Sequence, residues 1–438
     1  MQGNILKKIN ENMPNFIKKI ARDVIRNKLI GNQVFINTYN EIEEFNNFSK
    51  DEQERIQFKK LKQQLIYAYE NVCYYKQSFD ECEFNPYEFK NKEELKKLPI
   101  IKKEDLLNDF VKFCSKESVN FYEAHTGGSS GKPLKILLDN KSIYKERAFV
   151  YSFWSKVGYD FKKSKIITFR GVEYRNKICK YNPLYNELLL SPFKLNNNSI
   201  QDYIKEINKF NPQFISGYPS AITNFVNILK NNKKSLNVNI KGIFLISENT
   251  TESEYKIIKE FFKCPVITFY GHSERAIFAE NYDDDYLFNK LYGYVELIQF
   301  EKNKYRIVCT GFLNKKMPLI RYITDDIVEI KNDKMHIIGH WDKELLIGKN
   351  DEKISIASIN FHSDEFKCIS RYQFIQSKKG KVNIYLECAE GLSEKHLCKI
   401  KSALNKKLLG ILSYELIIVD KIKLTSRGKF KKVIQNIK

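Results

Sequence analysis

The sequence has no CxxC pair, no zinc-type spacing of cysteine and histidine, and no hydrophobic run that approaches a membrane-spanning length. Its nine cysteines are scattered from Cys73 to Cys398, and an odd number without paired spacing argues against a complete disulfide framework. They read as reduced thiols in a cytoplasm. The six histidines lie too far apart in sequence to suggest a metal site. The opening segment, MQGNILKKINENMPNFIKKIARD, interrupts its apolar residues with lysine and asparagine too often for a signal-peptide core. A soluble cytoplasmic chain is expected. Internal repeats and low-complexity linkers are also missing.

At 438 residues the chain exceeds the size at which one hydrophobic core keeps growing, and 42% hydrophobic residues suffice for ordinary globular cores. Two or more domains are expected. Lysine and arginine number 74 against 53 acidic residues, a formal net charge of +21, and a basic surface gains affinity for phosphate by releasing counterions. The excess is mostly lysine spread along the whole chain, as in NNKKSLNVNIK, and no RNA-recognition motif accompanies it. No nucleic-acid partner is expected. From residue 14 to residue 80 the pattern is helical, with Phe16, Ile17, Ile20, Val24 and Ile25 recurring at three-to-four spacing between lysines. Such a stripe fits peripheral membrane association through a basic amphipathic helix, and equally a face packed on its own domain.

After residue 100, short β-rich runs alternate with helical ones: KIITFRG, SIQDYIKEINKF, QFISGY, SAITNFVNILKN, IKGIFLIS, ESEYKIIKEFFK and PVITFYG. This alternation predicts an α/β fold with parallel strands joined by crossover helices. From Tyr292 strand follows strand (YGYVELIQF, KYRIVCTG, DIVEIK, KMHIIG), which predicts a barrel-like or antiparallel portion. A last mixed segment sets RYQFIQ, VNIYLEC and YELIIVD around the helix SEKHLCKIKSALNKKLL.

One stretch, HTGGSSGKPLKILLD, packs glycine, serine and threonine into a short run. Glycines let backbone amides turn toward a phosphate, and the hydroxyls of Thr126, Ser129 and Ser130 add donors. It is not a Walker A loop, because Thr126 stands where the first glycine belongs and Pro133 replaces the magnesium-binding hydroxyl. A phosphate cradle and an ordinary hairpin turn both remain open for this segment alone.

Three further motifs follow in order: YGHSE (Tyr270 to Glu274), MPLIRYITDD (Met317 to Asp326) and TSRGKFKKV (Thr425 to Val433). With GGSSGKP they resemble the signatures of the adenylate-forming superfamily of acyl- and aryl-CoA ligases and peptide-synthetase adenylation domains. FRG at Phe169, SGYPSAI at Ser216, YGYVE at Tyr292 and RYQFIQ at Arg371 narrow the resemblance to the phenylacetate-CoA ligase group and its capsular-polysaccharide (CapK-like) branch.

The resemblance implies an ATP- and Mg²⁺-dependent enzyme that couples a carboxylate to AMP. Under it, Thr126, Gly127, Gly128, Ser129, Ser130, Gly131 and Lys132 hold the β- and γ-phosphates. Tyr270 stacks on adenine beside Gly271, Ser273 reaches the α-phosphate, and Glu274 holds Mg²⁺. Asp326 accepts from both ribose hydroxyls, and Lys429 neutralises charge at the transferring phosphoryl and acyl oxygens. A large adenylation domain spans residues 1 to 341, and a small mobile α+β domain spans residues 342 to 438, with the pivot near Lys343. The sequence departs from the pattern by writing Thr324, Asp325, Asp326 where TGD is usual, and in two further places. His340 stands where an arginine is usual near the ribose, and Asn350, Asp351, Glu352 and Lys353 replace a glycine-bearing loop that helps form a CoA tunnel. The last departure argues against coenzyme A as the acceptor and for an amine, as in surface-polysaccharide assembly.

Overall fold

The structure, a computed structural model, describes residues 32–125, 134–169, 177–247, 250, 252–282, 285–338, 345–359, 366, 369–388, 393–408, 410–420, 422 and 433–437. The stripe of Phe16, Ile17, Ile20, Val24 and Ile25 lies outside them. Among the described residues no helix is long and apolar enough to cross a membrane, and the cysteines are free thiols.

The chain forms two compact units. The first draws on Met1–Thr126, Leu134–Lys156 and Thr268–His340. It begins with helices whose starts are written locally. Asn32 caps Gln33–Asn46 by accepting from the Phe35 amide at 3.0 Å, and Ser49 and Glu52 form a reciprocal capping box on Lys50–Asn71. The strands Phe121–His125 and Lys135–Asp139 pair antiparallel. Gly293–Glu301, Lys304–Gly311, Tyr322–Lys331 and Lys334–Ile338 form a four-stranded antiparallel meander in sequence order. Its last hairpin turns through Asn332 and Asp333, both at positive φ, which is the backbone a tight two-residue hairpin turn requires. The core beneath it joins helix residues Leu61, Leu65, Tyr75 and Phe79 to Ile307, Cys309, Met317 and Leu319.

The second unit draws on Val157–Ile267 and Trp341–Lys438. In its first part Ile166–Phe169 lies between Glu187–Leu190 and Phe214–Gly217, all parallel, with Gly242–Leu245 parallel beyond Phe214–Gly217 and Cys179–Asn182 antiparallel at the other edge. The crossover helices are Ile200–Phe210 and Pro219–Asn231. The first ends where Asn211 turns left-handed (φ 54°), and the second begins with a proline that has no amide to leave unbonded. Alternating strands and helices in the sequence therefore do form a parallel sheet. The strands Cys179–Asn182 and Glu187–Leu190 carried no such alternation and escape a pattern reading.

In the second part Ile369–Lys378 and Lys381–Cys388 pair antiparallel, with Ser413–Val419 parallel to the latter and Val433–Gln435 parallel to the former. Helix Glu394–Leu408 packs on this sheet through Ile400, Leu404 and Leu408, all fully buried. The preceding hairpin, Leu345–Ile347 with Lys353–Ser355, is tied in by Gln376. This fully buried side chain accepts from the Ile347 amide at 2.8 Å and donates to its carbonyl at 2.7 Å, as a neighbouring strand would.

Leu404 fills the middle of that helix–sheet contact, so Leu404→Ala is expected to destabilise this unit by about 2–5 kcal/mol. The urea midpoint, with the slope unchanged, is the measurement; a shift worth less than about 1 kcal/mol would remove the residue from the core described here.

Candidate active site

The strand Val266–Gly271 delivers Tyr270 and Gly271 to the start of a tight turn closed by a hydrogen bond from the Arg275 amide to the His272 carbonyl at 3.1 Å. Arg275 sits at φ 53° and is held there by its side chain. Its Nε lies 2.5 Å from Glu146 Oε2, and its Nη1 donates to Ser142 Oγ at 3.1 Å. The next residue, Ala276, is clasped between two glycines. A Cβ on Gly293 would stand 2.6 Å from the Ala276 carbonyl oxygen, and one on Gly311 2.6 Å from its Cα, so neither position accepts a side chain. The turn is fixed from both sides.

The segment Met317 to Asp326 faces it. Tyr75 accepts from the Ile320 amide at 3.0 Å and donates to the Pro318 carbonyl at 3.1 Å, and the Arg321 amide donates to Thr310 Oγ1 at 3.0 Å. Arg321 is buried and makes a two-pronged pair with Glu296, Nε to Oε2 at 3.0 Å and Nη2 to Oε1 at 2.9 Å. Its Nη1 also donates to the carbonyls of Leu95 and Leu98. Ile101 then bridges to Tyr322 in parallel register, its amide donating to the Arg321 carbonyl at 3.0 Å and its carbonyl accepting from Ile323 at 2.9 Å. A helix starting at Lys103 follows at once, which brings that lysine to the acidic residues of both motifs.

Those acidic residues are held individually. Tyr270 donates its hydroxyl to Asp326 Oδ2 at 2.5 Å, and Tyr322 donates to Glu274 Oε1 at 3.3 Å. His272 Nδ1 lies 3.0 Å from Glu274 Oε2, close enough for a charge pair though not aligned as a hydrogen bond. Burial on its own would push the His272 imidazole down, and the Glu274 carboxylate more than offsets that, leaving it well above its ordinary value. For Glu274 burial pushes upward, and His272 and Tyr322 outweigh it, so the carboxyl is held below the usual range. The half-buried Lys103 is lowered by burial, with Asp325 and Glu274 acting in the opposite direction. Cys309 stands 4.0 Å from His272 Nε2 and is raised by burial, which keeps it a neutral thiol. The carboxyl groups of Glu274, Asp325 and Asp326, the His272 imidazole and the Lys103 amine therefore gather where the two motifs face each other.

Residues 346–436 match the CapK C-terminal domain family. A search among curated proteins finds similarity to Protein CapK of Staphylococcus aureus, 26% identical over 366 residues and covering 78% of this chain and 81% of that protein. Among solved structures, 2-hydroxyisobutyryl-CoA ligase in complex with 2-HIB-AMP and CoA in the thioesterification state is similar, with a TM-score of 0.52, 15% identity, and coverage of 89% of this chain and 91% of that one. The same ligase in its postadenylation state with R3-HIB-AMP gives a TM-score of 0.51 over 88% and 90%. The fold is that of an adenylate-forming ligase, with a CapK-type C-terminal domain.

On this fold, the sequence-predicted residues divide in two. Tyr270, Gly271, Ser273, Glu274 and Asp326 come together where the two motifs face each other, with Gly271 and Ser273 exposed and Glu274 buried. Thr126, Gly127, Gly128, Ser129, Ser130, Gly131, Lys132, His340 and Lys429 lie outside the described residues. Sequence reasoning missed Lys103, His272, Arg321 and Tyr322. Arg321 and Tyr322 were inside a quoted motif, and only a contact with Glu296 or Glu274 gives them a role. Lys103, in LPIIKKEDL, is one lysine among many until Ile101 docks beside Tyr322. In the segment Asn350 to Lys353, Glu352 is buried, and its carboxylate folds back to accept from the Asn350 amide at 2.8 Å and the Asn350 side chain at 3.1 Å. Asp351 is exposed and lies 2.5 Å from Lys379.

Arg321→Met leaves the partly buried Glu296 carboxylate without its partner and is expected to destabilise the protein by about 3–5 kcal/mol, whereas adding Glu296→Leu should recover most of that loss. Denaturant melts of both single variants and the double variant give the coupling directly. Additive losses would show that the two side chains act independently.

Proposed function

We propose that this protein is an AMP-forming ligase that activates a carboxylate as an acyl-adenylate with release of pyrophosphate. The observation that carries the reading is the convergence of Tyr270, Glu274 and Asp326, the residues that the resemblance assigns to adenine, metal and ribose, in one recess of the adenylate-forming fold. A carboxylate oxygen is a poor leaving group, and joining it to the α-phosphate makes it a good one. Asp326 accepts from the ribose hydroxyls, and the exposed Ser273 hydroxyl reaches the α-phosphate. Lys103 faces the same phosphates from the opposite motif and offsets the negative charge of Glu274 and Asp325. Lys429 and the loop Thr126 to Lys132 supply further cationic and amide donors at the transferring phosphoryl group, where charge develops. We place the division between the large adenylation domain and the small C-terminal one at residue 341.

Among the described residues no cluster of three or more histidine, cysteine or acidic side chains is arranged to hold a metal. A single carboxylate such as Glu274 is a donor of the kind Mg²⁺ takes, since that ion keeps several waters and binds one or two carboxylates together with substrate phosphates. Glu274 would hold it, and the ion when bound neutralises phosphate charge. Because His272 already partners Oε2, the Glu274 carboxylate offers the cation one compensated charge.

For the second half-reaction we propose an amine acceptor in the assembly of a surface polysaccharide. Support comes from the turn between Gly348 and Lys353. The Gly348 amide donates to the Glu352 carbonyl at 2.7 Å and the Lys349 amide to the Ile411 carbonyl at 2.9 Å, which leaves a braced turn with side chains at four successive positions. The buried Glu352 contributes no charge to solvent there, so the reading rests on the bulk and rigidity of the turn.

Exchange of labelled pyrophosphate into ATP, driven by a panel of carboxylic acids that includes sugar acids, tests the first half-reaction, and no exchange with any acid would overturn it. Once the acid is known, separate offers of CoA and of amines, with products followed by mass spectrometry, decide the acceptor; efficient thioester with no amide returns the protein to the CoA ligases. Glu274→Gln is expected to lower exchange by about ten-fold or more, partly restored by added Mg²⁺. Lys429→Ala should depress exchange far more than ATP binding, since that lysine acts on charge developed only during transfer. A rate within a few-fold of the parent removes Lys429 from the mechanism.

A further inference from the structure

We propose that the Tyr270 hydroxyl is a positioning group for Asp326, and that it sets how strongly the site distinguishes ribose from deoxyribose. The inference rests on the nucleotide-binding reading above and concerns a second role for a tyrosine whose ring alone that reading uses. Tyr270 ends the strand Val266–Gly271, and Asp326 lies on the strand Tyr322–Lys331. The hydroxyl and Oδ2 are 2.5 Å apart, a short distance for an O–H donor on a carboxylate and characteristic of a charge-assisted bond.

A carboxylate turns readily about its terminal torsion, whose wells are broad, and it offers about four lone-pair directions. A donor fixed on one oxygen sets the plane of the group. The other oxygen and the second lone pair of Oδ2 then point in defined directions, which is what a vicinal diol needs from one acceptor. Two further features hold the arrangement. The Asp326 amide donates to Thr324 Oγ1 at 3.3 Å, so the residue is anchored through its main chain as well. The Tyr270 ring meets the His272 ring edge-on at 6.4 Å and packs against the first unit's core, so the hydroxyl is carried on a fixed arm. Burial first, and then the Asp326 charge, push the Tyr270 hydroxyl far above its ordinary value, so it remains a donor throughout the working pH range.

The alternative is that the hydroxyl merely satisfies itself in a half-buried site, in which case its loss changes stability alone. Direct binding separates the two. Calorimetric titrations of ATP, 2′-deoxyATP and 3′-deoxyATP are compared between the unaltered protein and Tyr270→Phe, which keeps the ring. Discrimination against both deoxynucleotides is expected in the unaltered protein. In Tyr270→Phe it should fall by roughly ten-fold, the worth of one hydrogen bond to a charged group, with the deoxynucleotides themselves bound about as before. Asp326→Asn provides the second arm: it should remove discrimination itself, and adding Tyr270→Phe to it should change nothing more. Equal discrimination in the unaltered protein and Tyr270→Phe overturns the proposal, as does an effect of Tyr270→Phe that persists undiminished in the Asp326→Asn background. Nucleotide binding without any ribose preference also overturns it but leaves the ligase reading standing, whereas no nucleotide binding at all defeats both.

Discussion

The site depends on one buried ion pair. Arg321 spends its guanidinium on three partners at once: both oxygens of Glu296 and the carbonyls of Leu95 and Leu98. Only a planar group with five donors in fixed directions does this, and a lysine in its place would satisfy one partner at a time. The carbonyls belong to a segment otherwise remote in sequence, and tying them down brings Ile101 into register with Tyr322 and Lys103 to the acidic residues. Remove the pair and the recess loses its cation and one of its walls.

Charge in the recess is balanced over short distances. Glu274 is buried and would be driven toward its neutral form by desolvation alone, yet His272 and Tyr322 hold it ionised. Lys103 experiences the opposite pressures, lowered by burial and supported by Asp325 and Glu274. Groups paired in this way resist protonation changes and keep their orientation. Preorganisation of this kind matters because a dipole or charge that is already aligned needs no reorganisation as the reaction's own charge develops.

Much of this was legible in the sequence, and what was not has a physical reason. The parallel strands Ile166–Phe169, Phe214–Gly217 and Gly242–Leu245 and their helices appear as alternating apolar runs of the right length, because each strand is buried on both faces. Glu187–Leu190 escapes because it follows Cys179–Asn182 with no helix between them, so the strand–helix alternation does not mark it. Tyr270, Glu274 and Asp326 could be named from motifs, since backbone and side-chain chemistry there occupy consecutive residues. Lys103 and Arg321 could not. Their roles arise from contacts outside their own segments, Arg321 with Glu296, Leu95 and Leu98 and Lys103 with Glu274 and Asp325, and no local pattern encodes such a partner. Nor does anything in NDEK mark Glu352 as buried, with its carboxylate accepting from the Asn350 amide.

Arg275, next to one motif, and Arg321, inside the other, share a further property. Arg275 and Arg321 both hold left-handed backbone, at φ 53° and 50°, in a region that costs a residue with a Cβ roughly 1–2 kcal/mol. Neither is a glycine, although glycine would relieve the strain. Each has a partly buried carboxylate partner, Glu146 for Arg275 and Glu296 for Arg321, and each adjoins a residue whose side chain meets the other motif: Glu274 before Arg275, Tyr322 after Arg321. A glycine at either position would adopt the turn readily and leave it equally readily. An arginine that is anchored through its side chain fixes the turn by the same contact that offsets the strain. The bond from Tyr322 to Glu274 thus connects two strained turns, each clamped from behind by an ion pair, and the position of the Glu274 carboxylate follows from that double restraint.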